Sequence, residues 1–238
     1  MHDDRLIVAL DMHDMDEVKA LVEELGESVT YYKVGMELFY RVGAPAVAYL
    51  KGQGKHVFLD LKLHDIPNTV AGGLCSLMGL GADILNVHAS GGYAMMKKSA
   101  DAIHAAAKAQ GIECPKLIAI TVLTSISQEE WAEMGHTAKI REHVLCLAKL
   151  AKIAGLDGVV ASPREASDIR EACGEGFLVV TPGIRPAGTS LDDQSRISSP
   201  SAALRNGATH LVVGRPIRSA ANPREAAERI VEEMRECK

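Results

Sequence analysis

Short apolar runs alternate with stretches of helical spacing along almost the whole chain. Eight runs have the length and composition of buried strands, and they begin near Leu6, Thr30, Val57, Asp83, Lys116, Gly158, Phe177 and His210. None shows the regular alternation of polar and apolar residues typical of a sheet with one exposed face. The pattern predicts an α/β protein, a closed (β/α)8 TIM barrel rather than an open doubly wound sheet, with residues 1–238 forming a single domain.

The helical spacing predicts the elements that cover this sheet. A first helix is expected over Met15–Leu25, with Asp14 as its N-cap. Later helices are expected over residues 36–51, 66–80, 95–109, 128–154 and 224–236, with weaker ones after the sixth and seventh strands. The longest stretch without a pattern, residues 181–200, is expected to be a functional lid, because loops of this length in compact domains seldom serve only as connections.

Charged residues interrupt the third predicted strand. Side chains alternate between the two faces of a strand, so Asp60 and Lys62 should share one face. The leucines at positions 59, 61 and 63 should share the other. An unpaired ion costs several kcal/mol to bury, so the two charges are expected to have partners. Their conflict with strand propensity indicates a functional position.

Polar residues also end the other predicted strands, and in a barrel of this kind the carboxyl ends of the strands meet at one rim. This rim is expected to collect Asp11, Lys33, Asp60, Lys62, His88, Thr124, Arg185, Gly214 and Arg215. The first four alternate in charge on three adjacent strands, and each carboxylate should favour the protonated form of its lysine neighbours. A protonated lysine in a dry site can act as a general acid or stabilise negative charge; a structural salt-bridge network is the alternative interpretation.

Two of the strand ends pair a glycine with an arginine. Gly183 and Arg185 follow the seventh strand, and Gly214 and Arg215 follow the eighth. Backbone N–H groups of glycine turns and a guanidinium fork at these two loops are the usual phosphate site of such barrels. The pattern favours a phosphate-bearing ligand over the simpler possibility that each arginine pairs with a surface acid.

Other candidates admit structural explanations. Asp65 lies just past the third strand, where it is either a functional residue of the rim or the N-cap of the helix that begins near Ile66 and Pro67. The nine histidines include no pair with metal-ligand spacing, so no metal site is predicted.

Composition narrows the possible partners and location. A net charge of −5 with both signs interspersed argues against a nucleic-acid or anionic-membrane surface. The five cysteines are scattered without a C-x-x-C pair, which is typical of reduced thiols in a cytoplasmic protein. The acidic N-terminus is no signal peptide, and no run is long enough to span a bilayer.

The run Asp60-x-Lys62-x-x-Asp65-Ile66-Pro67-x-Thr69 resembles the signature of the orotidine 5′-phosphate decarboxylase family. The resemblance covers nearly the whole chain, through residues 7–11, 33–35, 86–89, 123–125, 181–185 and 213–217. The D-x-K-x-x-D core alone is shared with related sugar-phosphate decarboxylases and hexulose-phosphate synthases. Those relatives place an acidic, magnesium-binding residue where this chain has Lys33.

The resemblance implies decarboxylation of orotidine 5′-monophosphate to UMP in pyrimidine biosynthesis, without a metal or organic cofactor. Lys62 would protonate C6 of the pyrimidine, and Asp60 would lie beside the departing carboxylate. Lys33 would bridge Asp60 and the ribose, and Asp11 would bind a ribose hydroxyl. These assignments give the charged array a catalytic role.

The resemblance also implies how substrate is held. Arg185 and Arg215, with Gly214, would bind the phosphate, Gln194 would span phosphate and base as the lid closes, and either Thr124 or Ser125 would hold the pyrimidine amide edge. Asp65 and Thr69 would enter the neighbouring subunit's site, so a homodimer with shared active sites is expected. Two other functions stay open: a magnesium-dependent sugar-phosphate lyase and a non-catalytic sensor of a phosphate ligand.

Overall fold

Eight parallel strands close into a barrel in this computed structural model, which describes residues 2–186 and 198–236. The strands are β1 (Leu6–Ala9), β2 (Tyr31–Gly35), β3 (His56–Leu63), β4 (Ile84–His88), β5 (Lys116–Ile120), β6 (Gly158–Val160), β7 (Leu178–Thr181) and β8 (His210–Val213). Each strand pairs with the next, and β8 returns to β1 with Leu211 opposite Leu6. The predicted barrel is confirmed.

Helices cover the outside of the barrel. They are α1 (Met15–Leu25), α2 (Met36–Val42), α3 (Ala44–Gly52), α4 (Pro67–Met78), α5 (Gly92–Gln110), α6 (Gln128–Glu133), α7 (Ile140–Ile153), α8 (Ala166–Cys173), α9 (Pro200–Arg205), α10 (Arg215–Arg218) and α11 (Pro223–Arg235). The N-cap predicted for α1 is confirmed, because the Asp14 side chain accepts a hydrogen bond from the backbone N–H of Asp16.

Two predicted helices are each divided in two. The helix expected over residues 36–51 is interrupted at Gly43, whose φ of 77° lies in the left-handed region and ends α2 before Pro45 helps to start α3. The material expected over residues 128–154 is divided between α6 and α7, and Gly135 adopts a φ of 91° between them. In both places a left-handed glycine breaks a pattern that apolar spacing alone would continue.

The apolar residues form two clusters because strand side chains alternate between faces. The inner cluster fills the barrel interior and includes Ile7, Ala9, Phe58 and Val212. The outer cluster lies between strands and helices, and Leu59 belongs to it while Leu61 and Leu63 pack against it. The predicted division of the third strand into a leucine face and a charged face is therefore confirmed.

Strand β3 leaves regular pairing with β4 near its carboxyl end. Leu59 is opposite Leu85, but the next pair joins Leu63 to Val87, so four residues of β3 advance against two of β4. Within this irregularity Lys62 has a φ of 53°, and it is the one non-glycine residue with positive φ in the part of the chain that the structure describes. The strand is therefore distorted where its charged residues lie.

Two further sequence predictions concern cysteines and membranes. Cys75, Cys114, Cys146 and Cys173 are all free thiols. No helix within residues 2–186 and 198–236 is long and apolar enough to cross a membrane.

Candidate active site

A cavity of about 300 Å³ opens at the carboxyl ends of the barrel strands. Apolar residues of the barrel interior, including Ala9, Phe58 and Val212, line part of it. Its polar lining consists of Asp11, Lys33, Asp60, Lys62, Thr124, Ser125, Gly183, Arg185, Gly214, Arg215 and Arg218. The structure thus brings the predicted charged array and the two predicted phosphate loops into one cavity, whose volume is within the range of small-ligand pockets.

Asp60 is the centre of the charged array. It is 6% exposed, and its Oδ1 accepts hydrogen bonds from Nζ of Lys62 at 2.7 Å and from Nδ2 of Asn86 at 2.6 Å. Its Oδ2 lies 3.3 Å from Nζ of Lys33. Burial opposes ionisation of this carboxyl, but the lysines and the amide outweigh burial and hold the pKa of Asp60 below its ordinary value. Asp60 is therefore a buried anion held by three donors.

Lys33 joins the two carboxylates of the array. Its Nζ donates a hydrogen bond to Oδ1 of Asp11 at 3.0 Å and also lies beside Asp60. Burial alone would lower the pKa of this ammonium, but the two carboxylates raise the pKa of Lys33 above its ordinary value. A β-carbon at Gly35 would lie 2.8 Å from this Nζ, so the glycine two residues along β2 leaves room for the charged group. The prediction that the carboxylates favour a protonated lysine is confirmed for Lys33.

The loops after β7 and β8 form another part of the cavity. Gly183 has a φ of 76°, a left-handed conformation that favours glycine, and Arg185 beyond it is buried with Nη1 donating to the backbone oxygen of Ile184 at 3.0 Å. Gly214 precedes the short helix α10, which begins at Arg215. Two guanidinium groups and two glycine turns therefore lie at the loops where TIM barrels bind phosphate.

Asp65 and Thr69 lie apart from the cavity. Both side chains are exposed, and neither residue lines the cavity within its own chain. The interpretation of Asp65 as the N-cap of α4 is wrong: Pro67 is the first helical residue and Ile66 occupies the N-cap without a side-chain bond. Instead Oδ1 of Asp65 accepts a hydrogen bond from the backbone N–H of Ile66 at 2.6 Å.

Most of the chain matches the sequence model of a known protein family. The model described as "Orotidine 5'-phosphate decarboxylase / HUMPS family" matches residues 4–230. The chain belongs to this family. The resemblance inferred from the D-x-K-x-x-D run is thereby confirmed.

The most similar relatives include a protein of Moorella thermoacetica named orotidine 5'-phosphate decarboxylase, which is 50% identical over 97% of this chain and 92% of its own length. A protein of the same name from Carboxydothermus hydrogenoformans is 48% identical over 97% of this chain and 96% of its own. Among solved structures, the orotidine 5'-phosphate decarboxylase of Lactobacillus acidophilus matches with a TM-score of 0.85 at 43% identity, covering 98% of this chain and 99% of that one.

Two residues that contact the charged array were not singled out by the sequence. Asn86 donates to Asp60 and is 1% exposed; its polar side chain in the apolar strand β4 was the available signal. Arg218, the last residue of α10, lines the cavity and donates to the backbone oxygen of Asp11. An arginine at the end of a four-residue helix has the sequence pattern of an ordinary surface charge.

The structure leaves two of the predicted substrate contacts undetermined. Thr124 and Ser125 both line the cavity, so either could reach a pyrimidine amide. Gln194 lies outside the residues that the structure describes, as do the other residues from 187 to 197. In the described residues, no group of three or more His, Cys, Asp or Glu side chains is arranged to hold a metal ion.

Proposed function

We propose that the protein converts orotidine 5′-monophosphate into UMP and carbon dioxide by fixed charge, without a metal or organic cofactor, and that Lys62 donates the proton to C6. The residues from 1 to 238 act as one catalytic domain. The observation that carries the proposal is the row of Asp11, Lys33, Asp60 and Lys62, joined by contacts of 2.7 to 3.3 Å in one cavity.

The reaction class rests on the family and its named relatives, and the chain is a carboxy-lyase. Its place in pyrimidine biosynthesis follows from the same relatives. A magnesium-dependent sugar-phosphate lyase is less compatible with the site. A divalent ion shared by Asp11 and Asp60 would have to displace the ammonium of Lys33, which already lies 3.0 and 3.3 Å from their oxygens.

The chemistry places a specific demand on the charged array. When the bond from C6 to the carboxylate breaks, carbon dioxide leaves and the electron pair stays on C6, which has no adjacent electron sink. An ammonium fixed beside C6 stabilises this charge without reorganising, and stabilisation of that kind is usually the largest catalytic contribution. Lys62 then transfers a proton to C6, and its neutral amine regains a proton from water. Asp60, which holds Lys62 at 2.7 Å, fixes the donor in place.

The phosphate is expected to bind at the loops that follow β7 and β8, away from the reacting carbon. Arg185 and Arg215, with the backbone N–H of Gly214, supply cationic and neutral donors there. Binding energy gained far from C6 can hold the pyrimidine against Lys62, and Gln194 is proposed to contact both phosphate and base. Asp11 and Lys33 are expected to bind the ribose between these two regions, and Thr124 or Ser125 the pyrimidine.

We further propose that two copies of the chain form a dimer in which Asp65 and Thr69 complete the partner's site. Both residues are exposed: Asp65 lies in the loop between β3 and α4, and Thr69 lies in the first turn of α4. Ile66 between them is 67% exposed, and Met36 and Tyr93 at the starts of α2 and α5 are also large exposed apolar residues. Since β2, β3 and β4 are neighbours, these helix starts lie at one side of the rim, where a second copy could cover them.

A single assay tests the proposed reaction. Purified protein is given orotidine 5′-monophosphate in excess EDTA, and loss of the orotate chromophore is followed together with release of carbon dioxide. We expect turnover that EDTA does not diminish. Activity abolished by EDTA and restored by Mg²⁺ would instead support the metal-dependent lyase, and UMP binding without any turnover would support the sensor.

Replacing Arg215 with alanine tests the phosphate site. The loss of one charge-assisted bidentate contact should weaken UMP binding by about 1.5–3 kcal/mol, roughly 10-fold to 150-fold. Calorimetric titration with UMP and with uridine makes the measurement specific, because uridine has no phosphate and its affinity should not change in the same proportion. An unchanged dissociation constant for UMP would remove Arg215 from the phosphate site. Arg229→Ala is a matched control on α11, since that arginine pairs with Glu225 on the surface.

A further inference from the structure

Asn86 lies on β4, directly beside the distorted part of β3. It is 1% exposed and uses both ends of its amide. Nδ2 donates to Oδ1 of Asp60 at 2.6 Å, and Oδ1 accepts the backbone N–H of Lys62 at 2.7 Å. One side chain therefore holds the carboxylate of one array residue and the backbone of another.

The backbone contact replaces a bond that regular pairing would have supplied. Between Leu59 and Leu63 the ladder to β4 is broken, and Lys62 adopts its φ of 53° within the gap. A left-handed conformation is unfavourable for a residue with a β-carbon and persists where the surroundings determine it. The Asn86 carbonyl accepts the hydrogen bond from the Lys62 N–H in this conformation and so stabilises the distortion.

The contact with Asp60 orders the array. Oδ1 of Asp60 accepts from both Asn86 and Nζ of Lys62. The amide is a neutral donor, so it fixes the rotation of the Asp60 carboxylate. The negative charge of Asp60 stays available to the ammonium of Lys62. With the carboxylate fixed and the Lys62 backbone fixed, both ends of the Lys62 side chain are anchored.

We propose that Asn86 is a positioning residue of the reaction, whose amide sets the place of the Lys62 ammonium by holding Asp60 and the Lys62 backbone together. The inference rests on the proposed role of Lys62 in decarboxylation. Asn86 does not line the cavity, so it acts through the other two residues and does not touch the substrate itself.

Two substitutions separate positioning from general stability. Asn86→Leu keeps the branched shape of the side chain, with the same number of heavy atoms, and removes both hydrogen bonds. A misplacement of the ammonium by about 1 Å should lower kcat about 100-fold, whereas the dissociation constant of UMP should change little because Arg185 and Arg215 are untouched. A parallel loss of kcat and of UMP affinity would indicate general damage to the site and overturn the proposal.

Asn86→Asp provides a second readout through its pH profile. The new carboxyl keeps the acceptor for the Lys62 N–H, and when protonated it can also donate to Asp60, as the amide does. Burial and the charge of Asp60 raise the pKa of such a carboxyl. The kcat of this variant should therefore rise as the pH falls through that pKa, whereas Asn86→Leu should show no such rise. An equal response of the two variants would overturn the proposal, and this profile carries the test if Asn86→Leu does not fold.

The pH comparison includes the other titratable groups near Asn86. These are Asp60 and Lys62 on β3, Lys33 on β2, and His88 on β4 with the ring of His64 against it. All of them are present in the unsubstituted protein, so its profile, recorded in parallel, removes their contribution. A rise in kcat at low pH that the unsubstituted protein shares would count against the proposal.

Asp83→Ala is the matched structural control. The Asp83 carboxylate also bridges to a backbone N–H of β3, that of Val57 at 2.7 Å, but at the opposite end of the barrel. Its loss should lower the melting temperature and leave kcat unchanged; an equal loss of kcat would contradict the assignment of Asn86. The unsubstituted protein and Lys62→Ala are run in the same assay. An inactive unsubstituted protein or an active Lys62→Ala refutes the proposed function, whereas full activity of both Asn86 variants refutes this inference alone.

Discussion

Replacing Lys62 with alanine should abolish decarboxylation and leave the barrel intact. In the proposed mechanism this residue supplies both the ammonium beside C6 and the proton. General-acid groups contribute up to about 10⁴-fold in rate, and loss of the electrostatic stabilisation adds to this, so kcat should fall by about 10⁴-fold or more. The fold should survive because Asp60 keeps two of its three donors, Asn86 at 2.6 Å and Lys33 at 3.3 Å. Steady-state kinetics, circular dichroism and UMP titration together make the measurement.

A matched variant distinguishes a catalytic lysine from a structural one. Lys51 donates to Asp83 at 2.8 Å, nearly the same distance as Lys62 to Asp60, but far from the cavity. Lys51→Ala should therefore keep kcat near that of the unsubstituted protein while losing a comparable ion pair. If Lys62→Ala unfolds, or if both lysine variants lose activity equally, the structural salt-bridge interpretation is favoured.

The barrel was predictable because its signal is local. Each strand buries both faces, so β1 is a continuous apolar run and β7 and β8 are nearly so, which distinguishes them from the helical spacing between them. The charged array was predictable for the opposite reason: Asp60 and Lys62 violate that pattern. Residues that break a strong local rule point to their own function, and topology then brings their partners from neighbouring strands.

The remaining features depend on contacts that one stretch of sequence does not contain. The irregularity of β3 arises from its pairing with β4, and the two hydrogen bonds of Asn86 exist only across that pair. Asp65 shows a competition between local signals: Asp favours an N-cap, but Pro67 fixes the first helical position and makes Ile66 the N-cap. The sequence contained each residue but did not determine which preference would prevail.

Two inactive variants, Lys62→Ala and Asp65→Ala, should together restore activity if the proposed dimer shares its sites. In a hybrid dimer one site combines an intact Lys62 from one subunit with an intact Asp65 from the other. The second site lacks both. A two-fold symmetric dimer therefore regains one of its two sites, about half the activity of the unsubstituted dimer. Co-expression with two different affinity tags, followed by purification on both, yields the hybrid for kinetic assay.

The activity of the hybrid dimer distinguishes two arrangements, one in which Asp65 serves the partner's site and one in which it serves its own. If Asp65 serves its own subunit, each hybrid site contains one defect and no activity returns. The Lys62→Ala and Arg215→Ala pair is the control, since both of those residues line the cavity of one chain and their hybrid should show no more activity than one Arg215→Ala site provides. Asp65 is exposed on its own chain while Asp60, five residues earlier, is buried. The same short segment would thus divide its carboxylates between two sites, and dissociation of the dimer should abolish activity even with every Lys62 intact.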